Sequence, residues 1–263
     1  MTEPELVMVD AVPSPALRPY VTRLTAYRET PAHPLTRNEA AFPGAVLILG
    51  LGAAMEVGGV RVTSFAAGPG DRFTTTRTSR TTDGVQVHLT PFGARRLYGL
   101  PMRHLANTVV PVTDVLGPLA EPTVTRLAET PSWHDRLALV DRLLRERILA
   151  GPELGPQVPW AWAKLVRSGG RVRVSALAEA LGWSHRHLVA RFHDEVGITP
   201  KTAARVIRFG RAAALLRAGT PIADVAGACG FYDQAHLNRE FRALAGTTPG
   251  QIRPRPGAPR RAH

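Results

Sequence analysis

The stretches VSALAEALGWSHRHLVARFHDEVGITP (residues 174–200) and IADVAGACGFYDQAHLNREFRALAGTTP (residues 222–249) are two copies of one pattern. The offset between them is 48 to 49 residues, because the second copy has one extra residue after its glycine–aromatic pair. That pair is Gly182-Trp183 in the first copy and Gly230-Phe231 in the second. An internal repeat of this kind predicts two similar supersecondary units in the last part of the chain.

Each copy predicts a helix, a tight turn and a second helix. Apolar residues spaced three and four apart define one face of the first helix. Gly182 or Gly230 then ends that helix, because glycine adopts the left-handed C-cap conformation at low cost. Ser184 and Asp233 are predicted to cap the second helix by accepting hydrogen bonds from its free N–H groups. This is a helix-turn-helix layout, in which the second helix can enter the major groove of DNA.

Thr-Pro pairs at residues 199–200, 220–221 and 248–249 each predict a helix start, with threonine as N-cap and proline in the first turn. The spacing predicts a linking helix from Lys201 to Ala218, roughly 25 Å long. That length suits two recognition helices about 34 Å apart, one turn of DNA, on one face of the duplex.

The charge of the chain is distributed unevenly. Residues 1–156 contain 16 arginines and 15 acidic residues, whereas residues 157–263 contain 17 basic and 6 acidic residues. Nearly all of the net charge of +12 therefore belongs to the part that contains the repeat. This asymmetry is typical of a polyanion-binding domain joined to a near-neutral one.

Residues 160–253 resemble the DNA-binding domain of the AraC/XylS transcriptional regulators. The segment GFYDQAHLNREFRALAGTTPGQIR (230–253) carries most of the resemblance; the residues that fill the family pattern are His236, Leu237, Arg239, Phe241, Gly246, Thr248, Pro249 and Arg253. Ile252 departs from the pattern, since the family usually has tyrosine or phenylalanine at this packing position. The resemblance implies a sequence-specific DNA-binding regulator, more often an activator, that needs no cofactor. It implies double-stranded DNA and RNA polymerase as partners. The stretch from Met1 to Asp10 is acidic and lacks the layout of a signal peptide, so we expect a cytoplasmic location.

The resemblance and the side-chain chemistry together suggest the DNA contacts. The candidates in the first unit and linking helix are Ser184, His185, Arg186, His187, Val189, Ala190, Arg191, Lys201 and Arg205; those in the second unit are Asp233, Gln234, His236, Asn238 and Arg239. Arginine pairs with guanine, and asparagine or glutamine with adenine, in the major groove. The lysine and arginines of the linking helix suit phosphates, which position the protein without reading sequence. Three alternatives stay open: a solvated face, packing or capping for His236, and a surface ion pair for Arg191.

The first 150 residues are expected to form a regulatory or dimerisation domain. Short apolar and alternating runs between about Phe42 and Thr90 predict strands, and the later residues predict helices, the clearest at 131–149. The segments PFGA (91–94) and NTVVPVTDVLG (107–117) resemble actinobacterial AraC-type regulators. We therefore expect an α+β protein: a small β-sheet domain with flanking helices, a linker at 151–159, an all-α domain of two helix-turn-helix units joined by a long helix at 160–253, and a disordered basic tail at 254–263.

The role of the first domain stays open between two hypotheses. It either binds a small-molecule effector or is a ligand-independent module for dimerisation or docking on another protein. Helix 131–149 is a candidate face for a homodimer, although packing on its own sheet is the favoured interpretation. We expect no enzyme activity and no metal site, because catalytic motifs are absent and the single cysteine, Cys229, lies inside the second unit. No apolar run reaches the roughly 18 residues of a membrane span.

Overall fold

The computed structural model describes residues 5–252 and confirms the α+β class with a helical C-terminal domain. The strands of the described residues are β1 (Glu5–Ala11), β2 (Val21–Thr30), β3 (Leu35–Glu39), β4 (Ala45–Gly50), β5 (Met55–Val57), β6 (Val60–Val62), β7 (Phe65–Ala67), β8 (Thr74–Thr78), β9 (Thr82–Leu89) and β10 (Val109–Pro111). The helices are α1 (Pro91–Tyr98), α2 (Val112–Leu116), α3 (Ala120–Glu129), α4 (Trp133–Ala150), α5 (Gln157–Arg167), α6 (Val174–Ala180), α7 (His185–Val196), α8 (Pro200–Arg217), α9 (Ile222–Cys229), α10 (Gln234–Ala245) and α11 (Pro249–Ile252). Arg253 and the tail at 254–263 lie outside the described residues.

Two antiparallel sheets form the N-terminal domain. The larger sheet has the strand order β1-β2-β9-β4-β7-β10, and the smaller has the order β3-β8-β5-β6. Ile48, Val57, Val62 and Phe65 are buried in an apolar cluster that the two sheets share. On the larger sheet, alternate residues such as Leu47 and Val87 belong to a second and bigger core with helices α1 to α4.

Helix α4 packs on its own sheet, as the sequence favoured. Leu137, Val140, Leu144 and Ile148 are buried on one stripe of the helix, and they belong to the core of the larger sheet. Arg136 of the same helix is buried and donates a hydrogen bond from Nη1 to Asp83 of β9 at 3.3 Å. The apolar stripe of α4 is therefore used within the domain.

The strands predicted between Phe42 and Thr90 are present, but the sheet domain begins earlier. Strands β1, β2 and β3 precede Phe42, and β2, with ten residues, lies between β1 and β9 in the larger sheet. The run VRVTSFA at 60–66, one of these apolar stretches, divides into β6 and β7, which belong to different sheets. Helix α5 begins at Gln157, inside the stretch 151–159 expected as a linker.

Each helix-turn-helix unit has its own core, and α8 contributes to both. Ala203 and Ala204 from its first turns pack with the first unit, in α6 and α7, around Phe192. Val206 and Phe209 pack with the second unit, in α9 and α10. The helix has 18 residues and is thus roughly 27 Å long.

Candidate nucleic-acid interface

The second helix of each repeat, α7 or α10, begins at a capping side chain as the sequence predicted. Ser184 Oγ accepts a hydrogen bond from the backbone N–H of His187 at 3.2 Å, and Asp233 Oδ1 accepts one from that of His236 at 2.6 Å. These bonds satisfy N–H groups that a helix start otherwise leaves without a partner. Ser184 and Asp233 therefore fix the start of each recognition helix, which is the part expected to face bases.

The turn threonines behave differently from one another. Thr199 caps α8, because its Oγ1 accepts from the backbone N–H of Thr202 at 3.2 Å and Pro200 follows it. At the start of α9 the position before the helix is Pro221 and no side chain caps it, so the predicted capping role of Thr220 is wrong. Pro221 fixes the extended backbone there without help from the threonine.

His187 and His236 occupy equivalent positions and make equivalent contacts. The His187 ring lies edge-on to Trp183 with centroids 4.5 Å apart, and the His236 ring lies edge-on to Phe231 at 5.4 Å. His236 Nδ1 also accepts a hydrogen bond from the backbone N–H of Tyr232 at 3.4 Å. Both histidines thus pack the start of the recognition helix against the aromatic residue of the turn, and this supports the packing alternative for His236.

The other candidates differ in how open they are to a partner. The exposed ones are Ser184, His185, Arg186, His187, Ala190, Arg191, Lys201, Asp233, Gln234 and Arg239. Val189, Arg205, His236 and Asn238 are half-buried. Exposed cations and amides thus cluster on the N-terminal turns of α7 and α10, the side-chain types that recognise base edges in a major groove.

Two of the candidate arginines are engaged in ion pairs. Arg191 Nη2 lies 2.9 Å from Oε1 of Glu195, one turn further along α7. Arg205 Nε lies 2.6 Å from Oε2 of Glu240, so this pair connects α8 to α10. Arg205 is therefore held by a carboxylate of the second recognition helix, which a phosphate would have to replace.

Tyr232 was missed by the sequence reasoning. It is the extra residue of the second copy, directly before the cap Asp233, and its side chain is 93% exposed. A phenol in this place can donate a hydrogen bond to a phosphate. The one-residue insertion between the repeats was the signal that could have found it.

Cys229 is fully buried in the core of the second unit, as expected. Burial raises the pKa of its thiol, so the thiolate, which is the reactive form, is disfavoured. Within residues 5–252 no three His, Cys, Asp or Glu side chains come together in a group that could hold a metal ion. None of the helices in that range is both long and apolar enough to cross a membrane.

Two domain families match the chain, one for each half of the fold. Residues 177–255 match the helix-turn-helix domain family, which spans both repeats. Residues 10–111 match a domain of unknown function, DUF6597, which covers strands β2 to β10 and the end of β1.

Two curated relatives are bacterial regulators. The uncharacterized HTH-type transcriptional regulator YbfI of Bacillus subtilis (strain 168) is 39% identical over 66 residues, which are 25% of this chain and 24% of that protein. The HTH-type transcriptional regulator GlxA of Rhizobium meliloti (strain 1021) is 28% identical over 177 residues, or 65% of this chain and 55% of that one. The chain thus spans about a quarter and about half of the lengths of these relatives.

The fold also has a solved counterpart. The crystal structure of wild-type ToxT from Vibrio cholerae strain SCE256, with an unsaturated fatty acid bound, superposes with a TM-score of 0.51 at 10% identity. The match covers 92% of this chain and 96% of ToxT, so the similarity includes both domains. The duplicated and capped helix-turn-helix unit, the matching domain family and the related regulators agree that the chain carries a helix-turn-helix domain similar to those of HTH-type transcriptional regulators, within a two-domain fold like that of ToxT.

Proposed function

We propose that this protein is a sequence-specific DNA-binding regulator that reads two successive major grooves, one with α7 and one with α10. The observation that carries the proposal is the pair of capped helices whose first turns expose Arg186 in one unit and Gln234 and Arg239 in the other. Arginine and glutamine recognise guanine and adenine edges in that groove. A protein that works on the bacterial chromosome acts in the cytoplasm.

The two half-sites of the operator should differ. In the aligned repeats Arg186 corresponds to Ala235, and Arg239 corresponds to Ala190, so each unit carries its arginine where the other has alanine. The arginines therefore lie about one helical turn apart along their respective helices. A non-palindromic operator with a guanine at a different place in each half follows from this arrangement.

The test is selection of random DNA duplexes by the full-length protein, followed by sequencing. We expect a bipartite motif whose halves are about one turn, 10 to 10.5 base pairs, apart. A uniform, strongly salt-dependent affinity with no enriched motif would instead identify a non-specific binder. Transcription from a template carrying the selected motif, with purified RNA polymerase, then decides whether the bound protein activates.

We further propose that the N-terminal domain senses a small organic anion. A cleft of about 390 Å³ between the start of the chain and α4 has an apolar floor that includes Leu24 and Leu137. His134, Arg142 and Arg145 also line the cleft, and they outnumber its one acidic side chain, Asp141, whose Oδ1 accepts a hydrogen bond from the backbone N–H of Ser14 at 2.9 Å. Ser14 Oγ is buried there with no hydrogen-bond partner among the described residues. Its volume is typical of small-molecule sites, and the side chains around it favour a negative group on an apolar body.

A thermal-shift screen of organic acids separates this proposal from the docking alternative. A ligand that binds only the native state raises the midpoint of unfolding. We expect at least one acid to do so in the wild type and to lose the effect in Arg142→Ala. If no compound in a broad screen shifts the midpoint, a dimerisation or protein-docking role becomes the better account of this domain.

A further inference from the structure

Both recognition helices end against the N-terminal domain at equivalent glycines. Gly197 ends α7 with φ of +89° and Gly246 ends α10 with φ of +61°. A Cβ on Gly197 would lie 2.5 Å from Cγ of Pro69, and one on Gly246 would lie 2.4 Å from Nδ2 of Asn38 and 3.1 Å from Cζ of Phe73. The approaches to Pro69 and Asn38 are closer than a side chain tolerates and that to Phe73 is tight, so each helix end lies directly against the neighbouring domain.

This close approach is not general among the glycines that end helices. Gly182, at the end of α6, and Gly99, at the end of α1, also have positive φ values, of +65° and +70°. A Cβ on either would meet no described atom within 4 Å. Within the described part of the C-terminal domain, the two recognition-helix glycines therefore share a contact that Gly182 lacks.

One short segment takes part in both contacts, and Asn38 of β3 adds to the one at Gly246. Pro69 and Phe73 belong to residues 68–73, GPGDRF, which we call the bridging loop. The loop is fixed to the sheet domain because Gly70 N donates to Phe42 O at 2.9 Å and Asn107 N donates to Pro69 O at 2.9 Å. Asp71 N also donates to Asn107 Oδ1 at 3.1 Å. It is thus held as a spacer between the ends of α7 and α10.

Other contacts strengthen each end of the bridge. At the first unit, Arg103 forms an ion pair with Asp194 of α7. The neighbouring Glu195 is buried, and burial raises the pKa of its carboxyl, whereas the positive charges of Arg191 and of Arg95 in α1 oppose that rise. At the second unit, the backbone N–H of Ala41 donates to the carbonyl of Leu244 at 2.7 Å. Ala41 is itself part of the apolar core of that unit.

From these contacts we infer that the bridging loop sets the relative position of the two recognition helices, so that Pro69 and Phe73 are positioning residues for half-site spacing. The contacts lie at the C-terminal ends of α7 and α10, whereas the residues expected to read bases lie in their first turns. The N-terminal domain therefore leaves the reading surface open and acts on spacing. The effect on half-site spacing rests on the proposed function, whereas the effect on the relative position of α7 and α10 does not.

The first test measures the geometry without DNA. Spin labels are attached to the full chain at Ala190→Cys and Ala235→Cys, which are exposed positions on α7 and α10, while Cys229 is buried. Electron–electron double resonance then gives the distance distribution between the helices. We expect Phe73→Ala and Gly246→Ala to broaden or shift that distribution.

The matched controls are Gly182→Ala and Gly99→Ala, which impose the same left-handed strain without touching the bridge. They should leave the distribution as in the parent protein. The inference is overturned if Phe73→Ala and Gly246→Ala also leave it unchanged, or if the controls alter it equally. Phe73→Ala introduces no backbone strain, so it decides the matter if the glycine variants do not fold.

The second test uses unlabelled protein and selected duplexes in which the half-sites are moved one or two base pairs apart. Phe73→Ala should lose discrimination between correct and altered spacing by about fivefold or more, in the range of typical coupling between sites. An unchanged spacing preference together with an altered helix distance would overturn the functional part. If no duplex is bound specifically by the wild type, the DNA-binding proposal fails, whereas the distance measurement still decides the geometry.

Discussion

At the scale of single residues, the arrangement separates the side chains proposed to read bases from those that pack on the turn. Arg239 is exposed on the first turns of α10, whereas His236, three residues earlier, packs on Phe231. The sequence identified both residues as candidates, but it could not assign different roles to them, because a histidine at a helix start suits both base contact and packing. The ring geometry and the burial of His236 distinguish the two roles.

Arg239→Ala should remove a base contact. We expect affinity for the selected operator to fall by about 1–3 kcal/mol, with relaxed preference at one base pair and little loss on scrambled DNA. Titrations with both duplexes at one salt concentration measure this. Arg242→Ala is the matched control, because it removes the same charge from the exposed last turn of α10. An equal loss on both duplexes would make Arg239 a phosphate contact.

Tyr232→Phe should weaken binding to every duplex alike. The side chain is 93% exposed, so removing its hydroxyl leaves the fold unchanged and costs only a hydrogen bond to phosphate, about 0.5–1.5 kcal/mol. Binding to specific and scrambled DNA, with a thermal melt of the free protein, measures both parts. Unchanged affinity would show that the inserted residue does not reach the DNA.

His88 should make the stability of the N-terminal domain depend on pH. Burial, helped by Arg23, lowers the pKa of the imidazole to about 4, and the ring lies edge-on to Phe42. The unfolded chain binds the proton more readily, with a pKa near 6.5. The contribution is therefore complete above about pH 6.5 and decreases as the pH falls towards 4, by up to about 3 kcal/mol.

Denaturant unfolding of the wild type and His88→Gln at several pH values from 4 to 7.5 measures this effect. The wild type should lose stability relative to the variant as the pH falls, and the gap should be constant above pH 7. Parallel curves across the whole range would contradict a neutral, partly buried histidine.

At the scale of elements, helices with strong local signals were predicted well. The linking helix, expected at Lys201 to Ala218, is α8 at Pro200–Arg217, since threonine, proline and glycine mark its ends. Strands β1 to β3 had weaker signals and were missed, although β2 lies between two strands of the larger sheet. Its sequence, VTRLTAYRET, mixes polar residues with apolar ones and so gives no clear strand pattern. One of the polar residues, Thr25, is buried and donates a hydrogen bond to Asp10 of β1, a pairing that local sequence does not reveal.

Arg205 and Glu240 form a cross-element pair whose role can be measured. The side chains are 30% and 16% exposed, so a double-mutant cycle of Arg205→Gln and Glu240→Gln should give a coupling of about 1 kcal/mol in stability. Chemical denaturation of the four proteins supplies the values. If the cycle shows no coupling, the ion pair does not hold Arg205, and the phosphate contact suggested by the sequence becomes the better account of this residue.

Salt dependence of DNA binding distinguishes the same two roles. Lys201→Gln should reduce the slope of log affinity against log salt by about one, as the loss of one phosphate contact does. Arg205→Gln should leave that slope unchanged, because its guanidinium is occupied by Glu240. A reduced slope for both variants would place both cations on the phosphates.

At the scale of the whole molecule, the two domains share a core. Phe92 of α1 is 7% exposed and belongs to the buried cluster of the first helix-turn-helix unit. Its ring lies edge-on to Trp162 of α5 with centroids 6.1 Å apart. The sequence suggested a linker between independent domains, since the residues that join them are distant in the chain and each half has its own hydrophobic pattern.

Phe92→Ala should therefore uncouple the domains as well as destabilise them. Truncation of a buried phenylalanine costs about 3–5 kcal/mol, and here the loss falls on the apolar contact that joins the domains beside the Arg103–Asp194 ion pair and the Ala41–Leu244 hydrogen bond. We expect a single calorimetric transition for the wild type and two separate transitions for Phe92→Ala.

Phe65→Ala is the matched control, because Phe65 is 5% exposed but lies in the cluster shared by the two sheets. It should lower stability while leaving one transition, since the joint between domains is intact. Two transitions for both variants, or one for both, would show that Phe92 does not couple the domains.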